Sequence, residues 1–84
     1  MNRTKRIKNI LEKNFNHHTI VVIGNSHLHK GHNNFDGNNQ THIMVQLTKH
    51  SKIEINRLEI HRKINFLLSQ EFDSGLHSLE IKII

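Results

Sequence analysis

The 84-residue sequence contains no cysteine, no proline, no tryptophan and no tyrosine. Without cysteine the chain can form neither disulfides nor a catalytic thiol, and any thiolate ligand to a metal has to come from another molecule. Hydrophobic residues make up 35% of the chain. The core must therefore be small and built from Ile, Leu, Val and a few Phe, and we expect a single domain spanning residues 1–84.

Long apolar segments are also missing. No stretch approaches the roughly 20 residues that a transmembrane helix needs. The basic start at residues 1–6 is followed by an amphipathic pattern rather than by the apolar segment of a signal peptide. No nucleophile, acid–base pair or phosphate-binding glycine-rich loop is recognisable. We therefore expect a cytoplasmic protein that is not an enzyme and has neither a membrane nor a small-molecule substrate among its partners.

Positive charge is what the chain has in excess. Lys and Arg number 12 against 7 Asp and Glu, which gives a formal net charge of +5. The 9 histidines can add to that charge below about pH 6.5. Such a charge can attract nucleic acid or an acidic protein surface. A general bias of the composition towards Asn, Ile and Lys is the alternative explanation, and charge alone does not choose between them.

Hydrophobic periodicity predicts the first half of the fold. Residues 4–15 show apolar side chains at helical spacing, which predicts an amphipathic helix with Thr4 as its N-cap. Residues 19–23 are mainly β-branched, which is typical of a buried strand. Residues 42–48 alternate between apolar and polar side chains and predict a second strand with one apolar face.

The second half of the chain predicts one long helix and a last strand. Apolar side chains of residues 56–72 fall in one half of a helical wheel, and the sequence DSG at residues 73–75 is a stop signal. Residues 78–83 alternate as a strand, and we expect a short helical turn at residues 53–56. The predicted order is helix, strand, strand, short helix, helix, strand, which indicates an α+β fold.

Histidines crowd the segment between the first two strands. His27, His29 and His32 lie within residues 24–40, a segment rich in Gly and Asn. Hairpin loops usually need about 2 to 5 residues, so the extra length indicates a functional or a disordered loop. Imidazole binds zinc, copper, nickel and iron. The cluster is therefore a candidate half-site for a metal that a partner completes.

Four short motifs, in order and at approximately the right spacing, resemble the BolA family. Residues 25–32 (NSHLHKGH) resemble its acidic-Ser-x-x-His-x-Gly-His loop, and residues 41–43 (THI) resemble its Thr/Ser-His-Phe strand opening. Residues 58–62 (LEIHR) resemble its His-Arg helix motif, and residues 75–79 (GLHSL) resemble its Val-His-Ala-Leu strand. The resemblance implies a fold related to the type II KH arrangement, with helices covering one face of a three-stranded mixed sheet.

The resemblance also implies a partner and a cofactor. Similar proteins bind monothiol glutaredoxins and share a bridging [2Fe-2S] cluster, in which one loop histidine and one histidine of the last strand bind iron. The matching positions here are His29 and His77. The glutaredoxin and its glutathione would supply the sulfur ligands. Two imidazoles can replace two thiolates on one iron, as Rieske centres show. We therefore expect a regulatory protein of iron-sulfur cluster trafficking or iron homeostasis.

Other interpretations of the histidines remain open. His32 and then His27 are the alternative loop ligands, or the loop imidazoles are solvated, or they bind zinc or nickel without a partner. His77 shares the parity of the inward residues of its strand, so a buried histidine with a backbone partner is its ordinary explanation. His42 opens a strand on the polar side, which favours a hydrogen-bonding role over ligation. His61 is either a packed histidine or an outer neighbour that supports the metal site.

A transcriptional regulator is the alternative function, because some BolA-like proteins are reported to bind DNA and to act in stress responses. The basic side chains of Arg57, Arg62 and Lys63 lie on the predicted long helix, and the charge of +5 would help through counterion release. A solvated helix face is the simpler explanation of these three residues. The chain also lacks the Gly-x-x-Gly loop with which KH domains clamp nucleotides.

Overall fold

The computed structural model describes residues 2–24, 41–52 and 54–84. Its elements are, in chain order, α1 (Arg3–Asn14), β1 (His18–Gly24), β2 (His42–Lys49), α2 (Arg57–Leu67), α3 (Ser69–Asp73) and β3 (Ser78–Ile83). This order confirms the predicted α+β fold. Within the described ranges, none of the three helices is long and apolar enough to cross a membrane.

The three strands form one mixed sheet in the order β1-β2-β3. β1 runs antiparallel to β2, with Gly24 opposite Ile43 at one end of the sheet. β2 runs parallel to β3, with His42 opposite Ser78 at that same end. Parallel neighbours need a crossover connection, which α2 and α3 supply here.

The helices cover one face of this sheet. Ile43, Val45 and Leu47 of β2 are at most 2% exposed, whereas the residues that alternate with them are half-buried on the other face. Ile7 and Leu11 bring the buried stripe of α1 into the same cluster. The other buried members are Phe15, Ile20, Ile60, Ile64, Leu68, Leu76 and Ile83. The core is therefore a single layer between sheet and helices.

The first helix begins one residue earlier than predicted and has a different cap. Asn2 has an extended backbone, and its side-chain Oδ1 accepts a hydrogen bond from the Lys5 backbone N–H at 3.0 Å. Thr4 lies inside α1, and its hydroxyl donates to the same Oδ1 at 2.8 Å. The prediction of Thr4 as the N-cap is therefore wrong, because Asn2 supplies the acceptor that the free N–H groups need.

The helix predicted over residues 56–72 is interrupted. Leu68, with φ −100° and ψ 13°, ends α2 and separates it from α3. Its side chain is fully buried with Ile60 and Ile64, as the periodicity predicts, and the short helix beyond the break carries Glu71 to its ion pair with Arg3. The helical turn predicted at residues 53–56 is wrong for residues 54–56, which are not helical. Residue 53 lies outside the described residues.

A buried ionic network ties α1 to α3. Arg3 and Glu71 are only 8% and 7% exposed. The Glu71 carboxylate accepts from Arg3 Nε and from Arg6 Nε, each at 2.9 Å. The hydrogen bond from Arg6 is the main cause of a lowered Glu71 pKa, Arg3 adds to it, and burial opposes it. Because buried charges are stable only when paired, this network fixes α3 and the turn that follows.

Candidate metal centre

His77 lies just before β3 with its side chain exposed. Its backbone N–H donates to the Thr41 carbonyl oxygen at 2.8 Å, and the Ser78 N–H donates to the same oxygen at 3.0 Å. Leu79, two residues later, is half-buried. The parity argument for an inward histidine is therefore wrong, since the chain is only beginning to enter the strand at His77. The imidazole is accessible to a metal or to a partner.

The turn before His77 is held from both sides. Gly75 has a φ of 120°, a value that favours glycine because it has no Cβ. The Leu76 N–H donates to the Glu71 carbonyl oxygen at 2.9 Å, which closes the end of α3. Arg3 Nη2 donates to the Ser74 carbonyl oxygen at 2.9 Å. The backbone that carries His77 is thus anchored to α1 and α3 as well as to the sheet.

A second histidine, His42, lies beside His77. The centroids of the two imidazole rings are 6.5 Å apart, and the ring planes are inclined by 30°. His42 Nδ1 is 2.9 Å from the Thr41 hydroxyl oxygen, which is consistent with the predicted hydrogen-bonding role. The sequence motifs contained both histidines, but their proximity depends on the parallel pairing of β2 with β3. Without knowledge of this strand register, the sequence gives no sign that His42 is a neighbour of the candidate ligand His77.

The histidine-rich segment attaches to the sheet at this same end. Gly24 is the last residue of β1 and pairs with Ile43, while Thr41 immediately precedes β2. The candidate ligands His27, His29 and His32 lie outside the described residues. Among the residues that are described, no cluster of three or more His, Cys, Asp or Glu side chains could hold a metal ion. Any metal at His77 therefore needs ligands from beyond that part of the chain.

His61, the predicted outer neighbour, is half-buried on α2. Its carbonyl oxygen accepts from Asn65 Nδ2 at 2.8 Å. Lys63, two residues later, donates to the Asn14 carbonyl oxygen at the end of α1. No hydrogen bond or ring contact joins His61 to His77 among the described residues, so a supporting role for His61 stays a prediction.

The three basic residues proposed to contact DNA have intramolecular partners. Arg57 Nη1 donates to the Ile83 carbonyl oxygen at 2.7 Å, at the far end of β3. Arg62 Nη1 lies 3.4 Å from Glu59 Oε1 in an exposed ion pair. Lys63 Nζ lies 5.0 Å from the centre of the Phe15 ring, a cation–π contact. Exposed pairs of this kind are weak, and the DNA hypothesis stays a prediction.

Comparison with known proteins decides the family. The family model described as BolA-like protein matches residues 11–84 of this chain. The chain belongs to the BolA-like family. The predicted resemblance is thereby confirmed, and members of this family are binding and regulatory proteins rather than known enzymes.

Relatives with similar sequences come from bacteria, plants and yeast. An uncharacterized protein in the cobS 5′ region of Sinorhizobium sp is 36% identical over 83 residues, covering 98% of this chain and 89% of that protein. The chloroplastic protein BOLA1 of Arabidopsis thaliana is 32% identical, covering 95% of this chain but only 51% of that protein. The UV-induced protein uvi31 of Schizosaccharomyces pombe is 31% identical, with coverages of 96% and 82%.

Solved structures show the same fold. BolA1 from Arabidopsis thaliana superposes with a TM-score of 0.80 at 30% identity, covering 99% of this chain and 90% of that one. The BolA domain of SufE1 from the same plant superposes with a TM-score of 0.73 at 31% identity, with coverages of 96% and 88%. The predicted fold class, helices over a three-stranded mixed sheet, is confirmed in the BolA-like chain.

Proposed function

We propose that this BolA-like chain is a binding protein that pairs with a monothiol glutaredoxin and co-ligates a [2Fe-2S] cluster, in iron-sulfur cluster trafficking or iron homeostasis. The two nitrogen ligands would be His77 and a histidine of residues 25–40, with His29 preferred over His32 and His27. One observation carries the proposal: His77 is an exposed imidazole at the end of the sheet where that segment begins and ends.

Chain length supports His29 as a ligand. His29 is the fifth residue after Gly24, and five extended residues span at most about 17 Å. β1 and β3 lie two strand spacings apart, or about 10 Å. His29 therefore has enough chain to approach His77, whereas His27, only three residues from Gly24, has little to spare. His32 has more chain on that side and is the next candidate.

The available ligand types fit a cluster shared with a partner better than a cluster held entirely by this chain. The chain offers imidazoles and no thiolate, since it has no cysteine. When bound, the cluster would supply a redox-active iron-sulfur centre, and imidazole ligation raises the potential of such a centre relative to thiolate ligation. His77 would bind iron through a ring nitrogen of its neutral imidazole, so acid should weaken binding.

The decisive experiment mixes the purified chain with a cluster-loaded monothiol glutaredoxin and records visible absorption and circular dichroism. We expect a changed cluster spectrum in a one-to-one heterodimer. His77→Ala and His29→Ala should abolish this change. His50→Ala is the matched control, because His50 is exposed and contacts Thr19 at the opposite end of the sheet. An unchanged wild-type spectrum, or an equal change with the His29/His77 double variant, would refute the ligand assignment.

A further inference from the structure

Among the described residues, β1 is an edge strand whose outward-pointing backbone groups have no hydrogen-bond partner. The Lys49 N–H donates to the Ile84 carbonyl oxygen, and the Ile84 N–H donates to the Leu47 carbonyl oxygen. The backbone N–H and C=O groups of the odd-numbered residues of β2 therefore point towards β3. The backbone groups of the even-numbered residues point towards β1, where their partners in the register are Thr19, Val21 and Ile23. Because the direction alternates along an antiparallel strand, Ile20 and Val22 direct their N–H and C=O groups away from the sheet. No hydrogen bond from another described residue reaches these groups.

β1 lacks the charged side chains and prolines that often protect edge strands. Charged side chains or prolines usually prevent such an edge from pairing with another chain. β3, the other edge, carries Glu80 and Lys82. β1 carries no Asp, Glu, Lys or Arg, and none occurs between Lys13 and Lys30 in a chain with a net charge of +5. An uncharged, β-branched edge in such a basic protein is suited to a partner strand that is itself uncharged.

We propose that β1 pairs antiparallel with β1 of a second copy of this chain, around a two-fold axis at Val21, to form a six-stranded sheet. In this register Ile20 of each copy lies opposite Val22 of the other, and each such pair exchanges two backbone hydrogen bonds. Val21 meets Val21 of the second copy, and Ile23 meets Thr19. Side chains of the same face meet in every pair, as a continuous sheet requires.

The side chains favour a second copy as the occupant. Val21 and Ile23 are 39% and 43% exposed on the face of the sheet that the helices leave open. The two-fold axis would join them to their counterparts in one apolar stripe. Growth would stop at the dimer, because the remaining edges are the charged β3 strands. His77 lies at the start of the opposite edge strand, so pairing at β1 leaves its imidazole exposed, and the dimer does not depend on the proposed metal-binding function.

The area involved is small, so the dimer should be weak and sensitive to salt. Only one strand from each copy contributes, so the area buried per partner is well below the roughly 800 Å² of a standard interface. α1 packs on the inner side of β1, and its solvent side carries Lys5, Lys8 and Lys13. These charges of the two copies would repel each other. Added salt screens exposed charges, so the dimer fraction should rise with ionic strength.

The test uses the full chain from micromolar to millimolar concentration. Sedimentation equilibrium should show a shift from monomer to dimer, and nuclear magnetic resonance should show protection of the Ile20 and Val22 amide hydrogens that increases with concentration. Val21→Lys should weaken self-association about tenfold or more, because it places like charges opposite each other across the axis. Phe66→Lys is the control, since Phe66 is 79% exposed on α2, away from the edge.

Three results would overturn the proposal. The first is a monomer at every concentration. The second is protection of the Ile20 and Val22 amides that does not change with concentration, which would mean that the same chain covers its own edge. The third is a dimer that Phe66→Lys disrupts and Val21→Lys does not, which would place the interface elsewhere. The amide exchange of the unaltered protein decides the first two, so neither depends on whether a variant folds.

Discussion

The imidazole rings of His42, the first residue of β2, and His77, which immediately precedes the parallel strand β3, lie with their centroids 6.5 Å apart. Thr41 joins them, because its carbonyl oxygen accepts the His77 N–H and its hydroxyl contacts His42 Nδ1. The candidate ligand therefore has an imidazole neighbour whose own orientation is fixed by a hydrogen bond. His42 can influence His77 without binding the metal.

His42→Ala separates these two roles. If His42 only orients its neighbour, the variant should still change the spectrum of a cluster-loaded glutaredoxin, while the mixed cluster decays up to about tenfold faster. The decay of the visible absorption, compared with that of the unaltered chain, gives this ratio. A complete loss of the spectral change, combined with no effect of His29→Ala, would make His42 the second ligand in place of the loop histidine.

Glu71→Ala should destabilise the fold strongly. The substitution leaves the buried Arg3 guanidinium without its carboxylate and removes the main partner of Arg6. Breaking a buried pair by removing one member costs about 3–5 kcal/mol. Denaturant unfolding followed by circular dichroism measures this loss. Glu59→Ala is the matched control, since its pair with Arg62 is exposed and should contribute less than about 0.5 kcal/mol.

Local patterns predicted the fold well where the periodicity of a single strand or helix determines which of its side chains are buried. The alternation over β2 predicted that Ile43, Val45 and Leu47 face the core, and these side chains are buried. Long-range pairings had no such signal. Glu71 follows Arg3 by 68 residues, and nothing in its sequence surroundings distinguishes a buried carboxylate from a solvated one. The proximity of His42 to His77 likewise depends on strand register, which sequence motifs do not specify.

The cap of α1 offers a test of a corrected prediction. Asn2→Ala removes the acceptor for the Lys5 N–H and should lower the free energy of unfolding by about 1 kcal/mol. Thr4→Ala should cost only a few tenths of a kcal/mol, or about the effect of an ordinary surface change, because its hydroxyl donates to Asn2 rather than capping the helix. Thermal melts of both variants measure the difference. A larger loss for Thr4→Ala would contradict the assignment of Asn2.

Acid should destabilise the protein in two separate ranges of pH. Glu71 has a lowered pKa in the folded state, so its stabilisation is present above its ordinary value of 4.5 and is lost as the pH falls through the folded-state pKa. His18 also has a lowered pKa, relative to an ordinary value of 6.5. The unfolded chain therefore binds more protons at His18 just below pH 6.5. The free energy of unfolding, measured as the pH is lowered, should show a first decline there and a second one below pH 4.5.

His18→Phe should remove the first of these declines. Both ring nitrogens of His18 are buried without a hydrogen-bond partner among the described residues, and its ring meets Phe15 edge to face at 6.1 Å. Burial is the largest cause of its lowered pKa, followed by the charges of His50, His17 and Lys49. A phenyl ring keeps the aromatic contact and needs no hydrogen bond, so the variant should be about 1 kcal/mol more stable at pH 7. At acidic pH the gain should be larger, because the phenyl ring has no proton to bind. Unfolding curves at neutral and mildly acidic pH test this directly, and an equal gain at both would mean that His18 does not cause the acid sensitivity.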